Sequence, residues 1–226
     1  MVLGGTNAVR RFRVTPDFAS ARSVIGLDAH AALSVWQANT VPWIDTTELL
    51  EAEERRLWRD YERGLRVVQV GDATRPLSGE KAQEWLDEDR LRALIEHLRA
   101  EYGADFGTAI TTAQVEDDLQ GLMREAGIDP ETMHYGEEKS RNDFAGEAVG
   151  FVNGFMNPGD EYVLDLLAEL DLEAEPETAV DDTGDEYRAR DRGFEGSDAD
   201  EAAAILASVR ENHIAQAGGR YARSPD

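Results

Sequence analysis

Acidic side chains dominate this sequence so strongly that they limit the surface it can present and the solution in which it can fold. Among 226 residues, 47 are aspartate or glutamate and 23 are lysine or arginine, which gives a formal net charge of -24. In dilute buffer such a surface repels itself and destabilises the compact state. Molar salt shortens the Debye length to about 3 Å and removes most of that repulsion. We therefore expect a protein adapted to very high salt.

The choice of basic residues supports this expectation. Lys81 and Lys139 are the two lysines of the chain, and the remaining basic residues are arginines. The composition resembles that of proteins from salt-in halophilic archaea and their viruses. An acidic regulator from a mesophile is the alternative, and the depletion of lysine in favour of arginine argues against it.

Several chemistries and locations are excluded or disfavoured by composition. Cysteine is absent, which excludes disulfides, thiolate nucleophiles and cysteine-ligated metal sites. No apolar run approaches the roughly 20 residues of a membrane-spanning helix. Basic residues follow the short apolar stretch at the N-terminus, the reverse of a secretory signal. We expect a protein located inside the cell, or in a particle assembled in the host cytoplasm.

Apolar residues recur at spacings of three and four along most of the chain, which predicts helices. The strongest helix begins near Ser78, carries Leu94 on its apolar face and ends at Gly103. Leu65 to Val70 gives the clearest β signal. The predicted fold class is therefore mainly α: a helical bundle with one short β element and extended N- and C-terminal arms. The other helices are expected after Asp28, at Asp45, near Thr111, near Arg141, after Asp160 and at Asp200.

Charge divides the chain into four segments. Residues 1–27 form a basic N-terminal arm, and residues 28–172 form the helical body. Residues 173–200 carry eleven acidic and three basic residues with few aliphatic ones, a composition that does not build its own core. We expect this segment to be an acidic linker or arm whose contacts come from neighbouring chains. Residues 201–226 form a C-terminal helix and tail.

Catalytic signatures are absent from the sequence. It contains no Walker loop, dinucleotide fingerprint or nucleophile elbow, and no two histidines have the spacing of a zincin helix. His134 lies beside Glu137 and Glu138, and a metal or acid–base site there is the minor alternative. Pairs of carboxylates are expected by chance in so acidic a chain. We therefore predict that the protein is not an enzyme and holds no cofactor or metal.

Partner binding is assigned to three groups of residues. Glycines at four-residue intervals within the helix expected near Arg141 permit the backbone of another element or of another subunit to approach closely. Arginines of the N-terminal arm suit an anionic partner, and an apolar face of the C-terminal helix suits docking. Sequence-specific binding to nucleic acid is not expected, because acidic residues occupy the helices that would face the phosphates. The candidate residues are Arg10, Arg11, Arg13, Gly146, Gly150, Gly154, Ile205, Leu206 and Val209.

A small helical body between a basic N-terminal arm and a long C-terminal arm resembles the head–tail connectors, or adaptors, of tailed viruses. The resemblance covers the order of elements. It implies a structural protein of a halophilic virus particle that forms a homo-oligomeric ring and contacts portal and tail components. Two other classes remain open: a haloarchaeal regulatory or antitoxin-like binding protein, and a hydrolase with a histidine–carboxylate site around His134.

Overall fold

The protein is described by a computed structural model that covers residues 2–3, 9–11, 14, 16–27, 32–71, 76–137, 141–189 and 192–222; of residues 2–3 and 9–11, the backbone alone is described. The chain is 43% helical and 12% strand. It contains a three-stranded parallel sheet, so the fold is mixed α/β. The expectation of a mainly α bundle is therefore wrong.

The elements follow one another along the chain as helices and short strands. The helices are α1 (Leu33–Asn39), α2 (Ala52–Leu57), α3 (Ala82–Trp85), α4 (Glu88–Tyr102), α5 (Glu116–Glu125), α6 (Asp160–Glu169), α7 (Ala199–Val209) and α8 (Glu211–Tyr221). The strands are β1 (Val2–Leu3), β2 (Val9–Arg11), β3 (Phe106–Thr111), β4 (Glu131–His134), β5 (Val149–Val152), β6 (Glu175–Pro176), β7 (Thr178–Val180), β8 (Glu186–Arg188) and β9 (Phe194–Glu195). A π-helical turn (Trp58–Glu62) follows α2, and a 3-10 turn (Gly103–Asp105) follows α4. Within the described residues, no helix is both long enough and apolar enough to cross a bilayer.

The chain forms two compact units, and each is discontinuous in sequence. The first unit comprises residues 1–48 and 158–209, and the second comprises residues 49–157 and 210–226. These boundaries differ from the four consecutive segments expected from charge.

The second unit is built on a parallel sheet with the strand order β4-β3-β5. The central strand, β3, pairs with β4 from Thr108–Glu131 to Thr111–His134, and with β5 as far as Ile110–Val152. One core cluster joins α4 and α5 to the sheet, and a second joins Ile110 and Met133 to Phe144 and to Ala217 of α8. The sheet is therefore covered on both faces, as parallel sheets require.

Local sequence signals account for the start of α4 and for the end of α5. The side chain of Asp87 accepts a hydrogen bond from the backbone N–H of Arg90 at 3.1 Å, which caps the start of α4. After α5, Gly127 has a φ of +75°, and the N–H of Ile128 donates to the carbonyl of Met123 at 3.0 Å. This is the Schellman ending that a glycine followed by an apolar residue predicts.

Two expectations for residues 40–71 are wrong. The helix expected at Asp45 begins at Ala52, because the capping box forms between Glu51 and Glu54. Residues 65–70, expected to form a strand, have no regular secondary structure and are mostly exposed, and among the described residues no strand pairs with them. A β-forming sequence needs such a partner before it becomes a ladder.

Residues 129–156 also differ from the expectation. Strand β4 begins at Glu131, and the helix expected near Arg141 is replaced by a turn at residues 143–146 and strand β5. Apolar residues at three- and four-residue spacings suggested a helix, but they serve separate elements here. The glycines among them weaken a helix by about 1 kcal/mol each.

In the first unit, α6 and α7 pack against each other through Val163, Leu166 and Leu167 on one helix and Ala202, Ile205 and Leu206 on the other. Both helices were predicted. Residues 173–200 form two small antiparallel sheets, β6–β9 and β7–β8, instead of an extended arm. The N-terminal residues expected to be extended contain an antiparallel pair, β1–β2.

Candidate functional site at the carboxyl edge of the parallel sheet

The strands of the second unit end together at one edge of the sheet. Thr111 at the end of β3 is the register partner of His134 at the end of β4. On the other side, the N–H of Asn153 donates to the carbonyl of Ile110 at 2.9 Å. The chain goes from the central strand to β4 and then to β5 on the opposite side of β3. In open parallel sheets, ligands bind outside the carboxyl ends of the strands near such a reversal.

Three potential metal ligands meet at this edge. The Nδ1 atom of His134 lies 2.8 Å from Oε2 of Glu116 and 3.5 Å from Oε2 of Glu137. One ligand atom from each residue lies within 4.8 Å of the other two. The side chains are partly shielded, with exposed fractions of 33% for His134, 19% for Glu116 and 41% for Glu137. The cluster is therefore a half-buried group with one nitrogen and two oxygen donors.

The local fold explains why these residues meet. Alternation along β4 buries Met133 on one face and directs Thr132 and His134 to the other. There they contact the first turn of α5, whose first residue is Glu116. Glu137 returns to the same place because Gly136, with a φ of +108°, reverses the chain after β4.

A cation already lies next to one of the ligands. The Nη1 atom of Arg141 is 3.8 Å from Oε2 of Glu137, and its guanidinium also pairs with Asp143. The hydrogen bond to Asp143 raises the pKa of Arg141 above its ordinary value, and the charge of Glu137 adds to the effect. A metal ion at this edge would therefore share Glu137 with Arg141.

Two polar side-chain atoms at this edge of the sheet have no hydrogen-bond partner among the described residues. Thr111 is fully buried, and neither its Oγ1 nor the Nδ2 of Asn153 is paired within the described part of the chain. Buried polar groups are nearly always paired with protein, water or an ion. Thr111 ends β3, beside β4, and Asn153 follows β5 on the other side of β3, so this edge has polar groups that a bound ligand or its water would satisfy.

The candidate residues taken from the sequence lie elsewhere. Gly146 is in a turn with a φ of +85°, Gly150 is in β5, and Gly154 has a φ of +76° just after it. They do not form a stripe on a helix, and that expectation is wrong because the helix is absent.

The remaining candidate residues lie in the first unit or outside the described residues. Ile205 and Leu206 are buried in the core of the first unit, and Val209 at the end of α7 is half-buried. Arg10 and Arg11 lie in β2 with side chains outside the described residues, and Arg13 also lies outside them.

Sequence reasoning found part of this site and missed the rest. His134 and Glu137 were noted as neighbours in the sequence. Glu116 was considered only as one of the acidic residues that disfavour binding to nucleic acid. The signal that would have found it is a β–α–β unit, since such a unit places the N-terminus of its helix beside the end of the following strand.

Comparison with known proteins identifies no relative: no protein-family model matches the chain, and no curated protein and no solved structure is significantly similar to it. The case for function therefore depends on the geometry of this chain.

Proposed function

We propose that this protein binds a divalent metal ion through Glu116, His134 and Glu137. The observation that carries the proposal is the convergence of three donor atoms within 4.8 Å at the carboxyl edge of a parallel sheet. The imidazole favours first-row transition metals, whereas carboxylates also suit manganese and magnesium. The mixed set therefore fits a first-row transition ion such as Mn²⁺ or Zn²⁺ better than Mg²⁺ or Ca²⁺, which prefer oxygen ligands alone.

Three protein ligands leave coordination positions for water or a substrate. Catalytic zinc sites have this arrangement, whereas structural sites are closed by four protein ligands. A metal ion lowers the pKa of its bound water and so supplies a nucleophile near neutral pH. This supports the hydrolase alternative over a purely structural role for the ion.

Metal binding is tested with ion-free protein in molar KCl, which suppresses loose association of cations with the acidic surface. Equilibrium dialysis against Mn²⁺ should give one tight site per chain, and Glu116→Gln or His134→Ala should abolish it. The matched control is His97→Ala, because His97 pairs with Glu101 at 3.1 Å but lies on an exposed helix face without a third ligand. Binding that is equal in all of these variants would refute the proposal.

Assembly is the second candidate function, and a different observation favours it. Residues 49–70 expose apolar side chains, among them Leu49 at 93%, Tyr61 at 81% and Val67 at 77%. Clustered exposed apolar residues usually mark an interaction surface. This exposed apolar segment supports a homo-oligomer. From the resemblance to adaptors, we propose portal and tail components of a virus particle as partners and the virion as the location of the protein.

The assembly candidate is tested by light scattering at molar salt. The full chain should form an oligomer, and the double variant Tyr61→Asp/Val67→Asp should be monomeric. Gln69→Asp adds one negative charge, half of that in the double variant, at a polar residue of this segment and should leave the oligomer intact. A monomeric full chain would count against assembly without affecting the metal proposal.

A further inference from the structure

A line of hydrogen bonds extends from the proposed metal site along α5. Oε1 of Glu116 accepts from the hydroxyl of Thr132 at 2.7 Å. Oγ1 of Thr132 accepts from Nε2 of Gln120 at 2.6 Å, and Oε1 of Gln120 accepts from Nη2 of Arg124 at 2.7 Å. Glu116, Gln120 and Arg124 are four residues apart and share one face of the helix, while Thr132 lies on β4.

Arg124 determines which atom donates and which accepts in each of these hydrogen bonds. A guanidinium donates and never accepts, so the atom of Gln120 that faces Arg124 must be the carbonyl oxygen. The amide nitrogen of Gln120 therefore faces Thr132 and donates to its hydroxyl oxygen. Because a hydroxyl has a single proton, Thr132 directs that proton to Glu116.

The consequence for Glu116 is that its two oxygens have different roles. Oε1 is occupied by the hydroxyl proton of Thr132, and Oε2 faces Nδ1 of His134 at 2.8 Å. Rotation of the carboxylate would break the bond to Thr132. Oε2 is thus held at the position where it would meet a metal ion.

We infer that Thr132, oriented by Gln120 and Arg124, is a positioning residue that sets the metal affinity of the site. The inference depends on the proposed metal-binding function and adds to it three residues outside the ligand set. Groups that hydrogen-bond to metal ligands typically contribute about 10–100-fold to affinity. We expect a loss of this size when the hydroxyl of Thr132 is removed.

The test compares the Mn²⁺ affinity of four forms of the full chain in molar KCl, with free Mn²⁺ measured by electron paramagnetic resonance. Thr132→Val keeps the shape and removes the hydroxyl, and it should bind about 10–100-fold more weakly. Thr132→Ser restores the hydroxyl and should restore the affinity. Gln120→Glu replaces the donor with an acceptor that competes for the proton of Thr132, so it should also weaken binding.

The melting temperature of each metal-free form separates positioning from loss of fold. Weaker binding by Thr132→Val with unchanged melting and rescue by Thr132→Ser supports the inference. Equal affinity of Thr132→Val and the unaltered chain overturns it and leaves the metal site standing. If the unaltered chain does not bind Mn²⁺, the proposed function fails and the inference fails with it. If Thr132→Val does not fold, Gln120→Glu on the half-exposed helix face decides the outcome.

Discussion

Gly150 lies at a position where the surroundings leave no room for a side chain. A β-carbon placed there would lie 2.4 Å from the ring of Tyr221, which stacks on Phe144 with ring centroids 5.5 Å apart. Burial raises the pKa of the Tyr221 hydroxyl well above its ordinary value. The close approach of β5 and α8 therefore depends on the absence of a side chain at this position.

Gly150→Ala should therefore destabilise the fold by about 1–3 kcal/mol, since the ring of Tyr221 has to move. Thermal or denaturant unfolding measures this cost. Gly121→Ala is the matched control: Gly121 is inside α5, and a β-carbon there meets nothing within 4 Å. That change should stabilise by about 0.5–1 kcal/mol through helix propensity. Equal effects of the two substitutions would show that Tyr221 does not pack as described.

Asp160 is held by two arginines of the first unit. Its carboxylate is 3.0 Å from Nε of Arg188 and 2.6 Å from Nη2 of Arg192. Burial alone would raise the pKa of Asp160, but the hydrogen bonds and charges of the arginines outweigh it and bring the pKa below its ordinary value. A lowered pKa in the folded state means that the ionised carboxylate stabilises the fold.

Asp160→Asn should cost about 1–3 kcal/mol at neutral pH, because it removes charge-assisted hydrogen bonds. The contribution of Asp160 is complete above the pKa of the unfolded chain and is lost as the pH falls through the lower pKa of the folded state. The difference in melting temperature between the unaltered chain and Asp160→Asn should therefore be largest above about pH 5 and become smaller below it. Asp182→Asn, at an exposed hairpin turn, is the control and should change melting little. A gap that does not change with pH would contradict this account.

At the scale of elements, α4 shows how a correct helix can have an imprecise face. The sequence predicted a helix from near Ser78 to Gly103 with Leu94 buried on its apolar face, whereas α4 begins at Glu88. In the structure Ile95 is fully buried and Leu91 nearly so, while Leu94 is half-buried at the edge of the face. The buried stripe therefore contains Leu91 and Ile95, and Leu94 is less buried than predicted.

Ile95→Ala should therefore cost about 2–5 kcal/mol, as expected for a fully buried aliphatic side chain. Leu94→Ala removes the same kind of side chain from a half-buried position and should cost less than half as much. Denaturant unfolding of the two variants in the same buffer compares them directly. If Leu94→Ala were the more costly substitution, the face predicted from the sequence would be correct.

Helices α4 to α7 were predicted from the sequence and the parallel sheet was not, for one physical reason. Helices α4 to α7 have an apolar face and a polar face, so their period is visible in the sequence. Strand β3 is buried on both faces and therefore lacks the alternation that identifies a strand. Strands β4 and β5 are four residues each, too short to show a period of two against the helical spacing around them.

Because the parallel sheet was not predicted, the sequence revealed only part of the site. His134 and Glu137 are three residues apart, and their proximity needs no knowledge of the fold. Glu116 lies eighteen residues before His134 and reaches it because α5 packs beside β4 after the chain has crossed from β3. Thr132, Gln120 and Arg124 depend on the same crossing. Without the sheet, each of them has the appearance of an ordinary surface residue.

At the scale of the whole molecule, the two compact units do not follow one another along the chain. Residues 158–209 belong to the first unit and interrupt the second, whose last helix, α8, returns to contact β5. Composition along the chain divides it into consecutive segments and therefore does not reveal such an interruption. The acidic stretch 173–200 illustrates this, because apolar residues at its borders, Leu172, Ala174 and Phe194, pack on the core of α6 and α7.

The net charge of -24 leads to a prediction about how the stability of the whole chain depends on salt. Both units must keep many carboxylates close together, and the repulsion among them grows as the Debye length increases from about 3 Å in molar salt to about 10 Å at 0.1 M. The unfolded chain separates these charges and is favoured in dilute buffer. Melting followed by circular dichroism should therefore move to lower temperature as KCl falls over this range. Repeating the series in glucose of matched osmolality, which does not screen charge, should fail to restore stability. A melting temperature that does not depend on salt would remove the case for adaptation to high salt.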